Sequence, residues 1–329
     1  MPGQREPMPV GLRPMLAQLA RMPADEDRYG FEIKWDGVRA LAYVARGKVR
    51  LESRTGRDIS AQFPEAAGLT GPLGRRQVVL DGELVAFDDE GKPSFQHLQG
   101  RIHLASPQEI RERMGAIPVT YMVFDLLHLS GRNTRQLPYE ERRGALEALA
   151  LDGPSWQTPG YHVGEGSKLF AASREQGLEG VVAKRLGSRY EPGRRGGSWL
   201  KSKNHRSQEV VIGGWLPGKG RRAGTIGALL AGYYEDGELR FAGKVGTGWT
   251  DEDLRRLAER LEPLRRDTSP FVGRQPERGS IFVEPELVAE VEFRGWTKTR
   301  TLRQPSFKGL RDDKDARDVI FEEKLRSNG

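Results

Sequence analysis

Glu32-Ile33-Lys34-Trp35-Asp36-Gly37 is the stretch on which the reading of this chain turns. If it is extended, side-chain alternation puts Glu32, Lys34 and Asp36 on one face and Ile33 and Trp35 on the other. One face is apolar and buries; the other holds a lysine between two acids. Taken alone, this is an amphipathic strand with a solvated face, closed by an Asp-Gly hairpin turn into a second strand over Val38 to Val44. The arrangement recurs, however. Leu80-Asp81-Gly82-Glu83-Leu84 places Asp81 and Glu83 on one face of another strand. Glu179-Gly180-Val181-Val182-Ala183-Lys184 has an acid and a lysine at the two ends of an apolar strand, and Trp199-Leu200-Lys201-Ser202-Lys203 puts Lys201 and Lys203 on one face. Strands that are apolar on one side and charged near their ends suit a sheet whose rim lines a polar pocket. Such a pocket offers acids to a hard cation such as Mg²⁺ and cations to phosphates.

Outward from these stretches, the first two-thirds of the chain alternates strands with helices. Val78 to Phe87 is a strand region, and Val119 to Leu127 is apolar enough to be a buried strand. Pro138 to Ala150 has helical spacing with proline in the first turn, and Lys168 to Gln176 is a second helix stopped by Gly177. Val181 to Lys184 and Ser198 to Lys203 are late strands. After Asn204-His205-Arg206-Ser207 the pattern changes to antiparallel strands over Glu209 to Trp215, Ile226 to Tyr234, Leu239 to Val245 and Leu287 to Phe293. One helix, Asp251 to Arg266, interrupts them, with Thr250 and Asp253 spaced as a capping box. Several strands, one helix and a positive loop make a small barrel such as the OB-fold plausible. The boundary divides the chain into residues 1–205 and 206–329.

Composition narrows the function classes. At 329 residues, with 36% hydrophobic and 30% charged side chains, the chain is long enough for two cored domains and is not a disordered polyampholyte. No apolar run approaches the roughly 18 residues of a membrane span. The first twenty residues are broken by proline and glycine, which speaks against a signal peptide. Cysteine is absent, which removes disulfides and thiolate metal sites and fits a cytoplasmic protein. The net charge is +7, and the clearest basic, glycine-rich stretches are Arg194-Arg195-Gly196-Gly197 and Pro217-Gly218-Lys219-Gly220-Arg221-Arg222. Flexible loops of this kind can follow a phosphate backbone through counterion release; solubility alone is the plainer explanation.

Lys34-Trp35-Asp36-Gly37-Val38-Arg39 resembles motif I, Lys-x-Asp-Gly-x-Arg, of the covalent nucleotidyltransferases: ATP-dependent DNA ligases, RNA ligases and mRNA-capping guanylyltransferases. The remaining motifs follow in that family's order. Ser53-Arg54-Thr55-Gly56 resembles motif Ia, Asp81-Gly82-Glu83 motif III and Val123-Phe124-Asp125 motif IIIa. Glu179 to Lys184 resembles motif IV, Trp199 to Lys203 motif V, and Arg311-Asp312-Asp313-Lys314 motif VI. Lys-x-Asp-Gly alone is weak; seven motifs in order across nearly the whole chain are not. Met15-Leu16-Ala17, Glu32 to Arg39 and Pro305 to Arg311 are most similar to the ligase module of bacterial end-joining ligases. The resemblance does not extend to a polymerase or phosphoesterase module, nor to the helical DNA-binding domain of long eukaryotic ligases.

The resemblance implies an α+β fold: an adenylation domain of antiparallel sheets and helices followed by an OB-fold β-barrel domain. It implies ATP as the AMP donor, Mg²⁺ or Mn²⁺, and nicked or broken double-stranded DNA as substrate. Lys34 is the implied nucleophile, which becomes covalently attached to AMP. Glu32 would accept from the adenine amino group, Phe124 would stack on the base, Arg39 and Glu83 would hold the ribose, and Arg54 would contact phosphate. Glu179 would bind the metal with Asp36 nearby, and Lys201 and Lys203 would stabilise charge on the α-phosphate. Arg311 and Lys314, in the second domain, would orient the pyrophosphate when that domain closes. Asp125 and Lys184 are supporting residues on this reading. A monomer is expected, located in the cytoplasm with the nucleoid and working in DNA repair, with end joining and a Ku-type end-binding partner as the implied setting.

Rival readings make discriminating expectations. An RNA ligase or capping enzyme shares Lys-x-Asp-Gly, but the ligase-like flanks and the form of motif VI here count against both. NAD⁺ as donor would bring an extra amino-terminal domain and a Cys-based zinc site, and the chain has no cysteine. A basic DNA-binding protein that has lost catalysis would not need Lys34, Glu83, Glu179, Lys201 and Lys203 together.

Overall fold

A computed structural model describes residues 6–102, 104–218, 220 and 224–322. Lys219, Arg221 and Arg222 of the basic loop lie outside the described residues. The chain divides between Asn204 and His205 into two compact units.

The first unit holds strands β1 (Leu16–Leu19), β2 (Tyr29–Ile33), β3 (Val38–Ala45), β4 (Lys48–Ser53), β5 (Val78–Ala86) and β6 (Val119–Leu129). Later in the chain come β7 (His162–Val163), β8 (Gly180–Arg185) and β9 (Arg195–Lys203). One sheet runs β1-β9-β8-β2-β7, and a second runs β4-β3-β5-β6 and continues into the short strands Trp156–Gln157 and Asp152–Gly153. All principal pairings are antiparallel except β1 with β9. The apolar run of β6 is buried along nearly its whole length, because the sheet is covered on both faces. One face packs into a core with Val38, Leu80, Leu98 and Leu146, and the other with Met15, Leu41, Tyr190 and Trp199. The longer helices that pack around the sheets are α1 (Phe95–Ile102), α2 (Pro107–Ala116), α3 (Tyr139–Glu147) and α4 (Gly166–Glu175). Helix α2 is capped by Ser106, whose hydroxyl accepts from the Glu109 amide.

The hairpin reading of motif I fails. Strand β2 ends at Ile33, and β2 and β3 belong to different sheets, so Lys34 to Gly37 is a crossover. Its two ends run close to neighbouring strands. The Lys34 amide donates to the Gly180 carbonyl at 2.9 Å. At the far end, a Cβ on Gly37 would stand 2.2 Å from the Leu84 carbonyl oxygen, so only glycine lets the crossover pass this close to β5.

In the second unit, β10 (Ser207–Pro217), β11 (Ile226–Glu235) and β12 (Glu238–Val245) form a meander. Helix α5 (Asp251–Leu261) follows, then β13 (Ile281–Val283), β14 (Val288–Glu292) and β15 (Ser306–Leu310). The long strand β10 pairs with β11 along part of its length and with β13 and β14 on its other edge. This mainly antiparallel unit of strands with one helix agrees with the small barrel expected of the second unit. Thr250 and Asp253 form the expected reciprocal capping box. The helix is shorter than the periodicity predicts: Pro263 cannot continue it, the chain tightens into a 3₁₀ turn at Glu262–Leu264, and Arg265–Arg266 pairs as a strand. Among the described residues, no helix is long and apolar enough to cross a membrane.

Gly37→Ala should lower stability by about 1–3 kcal/mol, the usual cost of overpacking, seen as a lower denaturant midpoint. Gly144→Ala, at an exposed position of helix α3 where a Cβ meets nothing within 4 Å, should raise it by about 0.5–1 kcal/mol. Equal effects would mean that the crossover has room to shift.

Candidate active site

Strand β8 opens at Gly180 with φ +148°, and a Cβ there would lie 2.0 Å from the Ser202 carbonyl oxygen of β9. Glycine is therefore required for β8 to start against its neighbour, and this sets Glu179 beside the crossover. The Lys34 ammonium donates to Glu179 Oε2, and Lys203 Nζ lies 3.5 Å from Glu179 Oε1. The Lys34, Glu179 and Lys203 side chains are 22%, 15% and 8% exposed, so the cluster is recessed but open to solvent at the lysine end. Lys201, two residues before Lys203 on β9, shares its face and pairs in register with Val182 and Leu19. Motifs I, IV and V thus converge as two ammonium groups on one carboxylate, an arrangement that leaves net positive charge for an anionic ligand.

Behind this rim lies a more buried group. Glu32, 3% exposed, accepts from the Tyr139 hydroxyl at Oε1 and faces Lys184 Nζ at 2.7 Å through Oε2. Arg143 Nη1 stands 3.9 Å from Oε1. Burial pulls the Lys184 ammonium below the ordinary lysine range, a pull that Glu32 and Asp125 partly oppose. The Phe124 ring lies beside these charges, 4.1 Å from Lys184 Nζ and 4.5 Å from the Arg39 guanidinium carbon. Arg39 is fixed by a bidentate pair with fully buried Asp81 at 2.6 and 2.8 Å. Asp81 also accepts from the Tyr190 hydroxyl at 2.6 Å. Glu83 sits opposite Arg39 in the β3–β5 register. Asp125 forms a fully buried bidentate pair with Arg142, which ties helix α3 to β6.

Sequence reading missed Tyr139, Arg143 and Tyr190 as members of this constellation, and gave Asp81 only as a charged position of motif III. Tyr139 and Arg143 lie on a helix that periodicity found, but nothing in Tyr139-Glu140-Glu141-Arg142-Arg143 says which arginine turns inward toward Glu32. The remaining candidates are spread out. Arg54 sits in the turn after β4, where its carbonyl accepts from Arg13 at 3.2 Å. Asp36 accepts from the Phe95 amide at 3.1 Å and so anchors the start of α1. In the second unit Arg311 is a buried clamp, donating to Asp313 through Nε and Nη2 and to Glu290 through Nη1. Lys314 pairs with Glu209 at 2.9 Å. Among the described residues no group of three or more His, Asp or Glu side chains could hold a metal by itself. The donor set fits a hard cation that arrives with a phosphate ligand, since Mg²⁺ keeps waters and uses one or two carboxylates plus substrate oxygens.

The motif VI clamp has a pH signature. Burial pushes the Asp313 carboxyl up, but Arg311 pulls it further down, so it lies below the ordinary carboxylate range. A depressed carboxylate contributes stability that is full above its unfolded value of about 3.9 and is lost as pH falls through the folded value. Denaturant unfolding of Asp313→Asn should therefore show lower stability at pH 7, with the gap to the parent chain closing below about pH 4. A gap that is constant with pH would remove the ion pair as its cause.

Residues 14–203 match the model of the ATP dependent DNA ligase domain, and residues 222–314 match the ATP dependent DNA ligase C terminal region. The chain is 44% identical over 317 residues to the multifunctional non-homologous end joining DNA repair protein LigD of Mycobacterium tuberculosis, covering 94% of this chain and 40% of that protein. It is 32% identical over 337 residues to a DNA ligase of Thermococcus onnurineus, covering 95% and 58%. Among solved structures, a mycobacterial DNA ligase D complexed with ATP and MES is similar at TM-score 0.68 and 42% identity, covering 94% of this chain and 98% of that one. The chain thus spans about two-fifths of the length of the LigD proteins that it matches. With both family regions matched in order along an adenylation unit and an OB-type unit, the chain belongs to the ATP-dependent DNA ligase family.

Proposed function

We propose that this chain seals 3′-hydroxyl/5′-phosphate breaks in duplex DNA in three steps, with Lys34 as the nucleophile. The observation that carries the reading is the contact of the Lys34 ammonium with Glu179, whose other oxygen faces Lys203. In the first step Lys34 Nζ, having lost its proton, attacks the α-phosphorus of ATP. The N–P bond forms, the bond to the bridging oxygen breaks, and pyrophosphate leaves. In the second, a 5′-phosphate oxygen of the DNA attacks the same phosphorus and Lys34 leaves with its proton restored. In the third, the 3′-hydroxyl attacks the activated 5′-phosphorus and AMP leaves.

The roles follow the chemistry of each side chain. Lys201 and Lys203 offset charge on the α-phosphate, as pre-positioned cations do in phosphoryl transfer. Glu32 accepts from the adenine amino group, Phe124 forms an aromatic wall for the base, and Arg39 and Glu83 hold the ribose. Arg54 contacts phosphate. Mg²⁺ or Mn²⁺ would be held by Glu179, with Asp36 as second carboxylate, and would supply charge neutralisation at the phosphates. Lys314 assists pyrophosphate departure, with Arg311 acting both there and as the clamp that shapes motif VI. The likeness to LigD over the ligase portion supports end joining in DNA repair as the setting, with a Ku-type end-binding partner, and a monomer in the nucleoid-containing cytoplasm.

Lys34→Ala should abolish formation of the protein–AMP adduct on incubation with labelled ATP and divalent cation; a persisting adduct would assign the nucleophile elsewhere. Glu179→Ala should retain ATP binding but slow adduct formation by a hundredfold or more, on the order expected for lost charge stabilisation. A near-parental rate would demote Glu179. Lys314→Ala should likewise block adduct formation, yet seal a nick that already carries a 5′-adenylate near the parental rate. Residues that act in one transition state need not matter in another, so equal defects on both substrates would exclude a first-step role.

A further inference from the structure

The group around Glu32 contains an arginine that the reaction scheme does not use. Arg143 is 1% exposed, yet its Nε and Nη1 have no hydrogen-bond partner among the described residues. A buried guanidinium with unmet donors is costly unless something draws it there. Its other end is anchored: Nη2 donates to the Pro159 carbonyl at 2.6 Å and to Glu147 at 3.1 Å, and the guanidinium lies 5.0 Å from the centre of the Tyr161 ring. Held this way from helix α3, it presents Nη1 to Glu32 Oε1 at 3.9 Å. Tyr139, one turn earlier on the same helix, donates its hydroxyl to that oxygen, and Lys184 faces the other. Lys184 Nζ, at 2.7 Å, is itself without a well-aligned hydrogen bond.

We propose that Arg143, with Tyr139, is a positioning residue for nucleobase choice: it fixes the Glu32 carboxylate so that its remaining acceptor selects a 6-amino purine over a 6-oxo purine. This rests on reading Glu32 as the base contact. A carboxylate accepts and cannot donate, so it pairs with the amino group of adenine and opposes the carbonyl of hypoxanthine or guanine. A site that holds buried polar groups in fixed directions rejects the mismatched partner strongly, because mispairing leaves those groups unmet. Helix α3 holds the carboxylate from a direction that neither motif I nor motif IV supplies. If it is released, the carboxylate turns and the rejection weakens.

The test measures adduct formation by the full chain with ATP and with inosine triphosphate, which carries an oxo group at the 6-position and a hydrogen on N1. Arg143→Gln should raise the KM for ATP and lower the ATP-to-inosine-triphosphate ratio of kcat/KM by about tenfold or more, because the rejection of a mismatched base weakens once the carboxylate loses its nearby cation. Arg143→Lys, which restores a cation, should recover most of the ratio; if Arg143→Gln fails to fold, Tyr139→Phe gives the same readout. Glu32→Gln serves as the reference, since its amide can donate to a 6-oxo group. If Glu32→Gln shifts the ratio while the Arg143 and Tyr139 variants leave it unchanged, the inference is overturned and the base contact stands. If Glu32→Gln leaves the ratio unchanged, the base contact itself is wrong and the inference falls with it.

Discussion

One backbone hydrogen bond, from the Lys34 amide to the Gly180 carbonyl, joins the crossover between the two sheets to the start of β8. It fixes the Lys34 end of the crossover, as the Phe95 amide on Asp36 fixes the other end. With it, Lys34 and Glu179, 145 residues apart, meet at their side-chain ends. Two glycines make the approach possible, Gly180 against Ser202 and Gly37 against Leu84. Both are places where any Cβ would collide with a carbonyl oxygen, so the backbone geometry of the site is set by what is missing from these residues. The lysine is held at a junction of sheets, where rigid backbone on either side limits its reach.

Charge inside this unit is organised in closed pairs. Arg142–Asp125 is fully buried on both sides, and Arg39–Asp81 is buried on the acid side. Pairs of this kind add little net stability compared with apolar packing, but breaking one by removing a single partner typically costs about 3–5 kcal/mol. They act here as geometric constraints: Asp81 aligns Arg39 beside Phe124, and Asp125 fixes helix α3, which carries Tyr139 and Arg143. The cluster at Glu179 differs. It has two cations to one acid and lies partly open, which is the electrostatic state that favours a phosphate ligand over further internal pairing. Motif VI in the second unit follows the first pattern, with Arg311 closed upon Asp313 and Glu290.

Much of this was legible in the sequence, for identifiable reasons. Apolar runs such as Val119 to Leu127 and Ile226 to Tyr234 announce strands because burial on both faces or one leaves a pattern in the residues themselves. Thr250 and Asp253 announce a helix start because the cap is local. The charged residues at the ends of apolar strands announced a polar rim, and the ordered motifs from Lys34 to Lys314 announced the family. The overshoot of the helix after Thr250 came from letting periodicity outrun Pro263, a local signal that was present and outweighed.

The failures have another character. Asp36-Gly37 reads as a hairpin because that dipeptide suits one; only the pairing of β2 with β8 and of β3 with β5 sends the two strands into separate sheets. Tyr139 and Arg143 could be placed on a helix but not beside Glu32, since Tyr139 and Glu32 are 107 residues apart and their contact depends on how α3 docks. Sequence by itself determined which segments become strands and helices, which residues carry charge at their ends, and hence the family. Tertiary structure decided which charges meet. Periodicity and capping are written within a few residues of each other, whereas an ion pair across a sheet exists only once long-range packing has fixed both backbones.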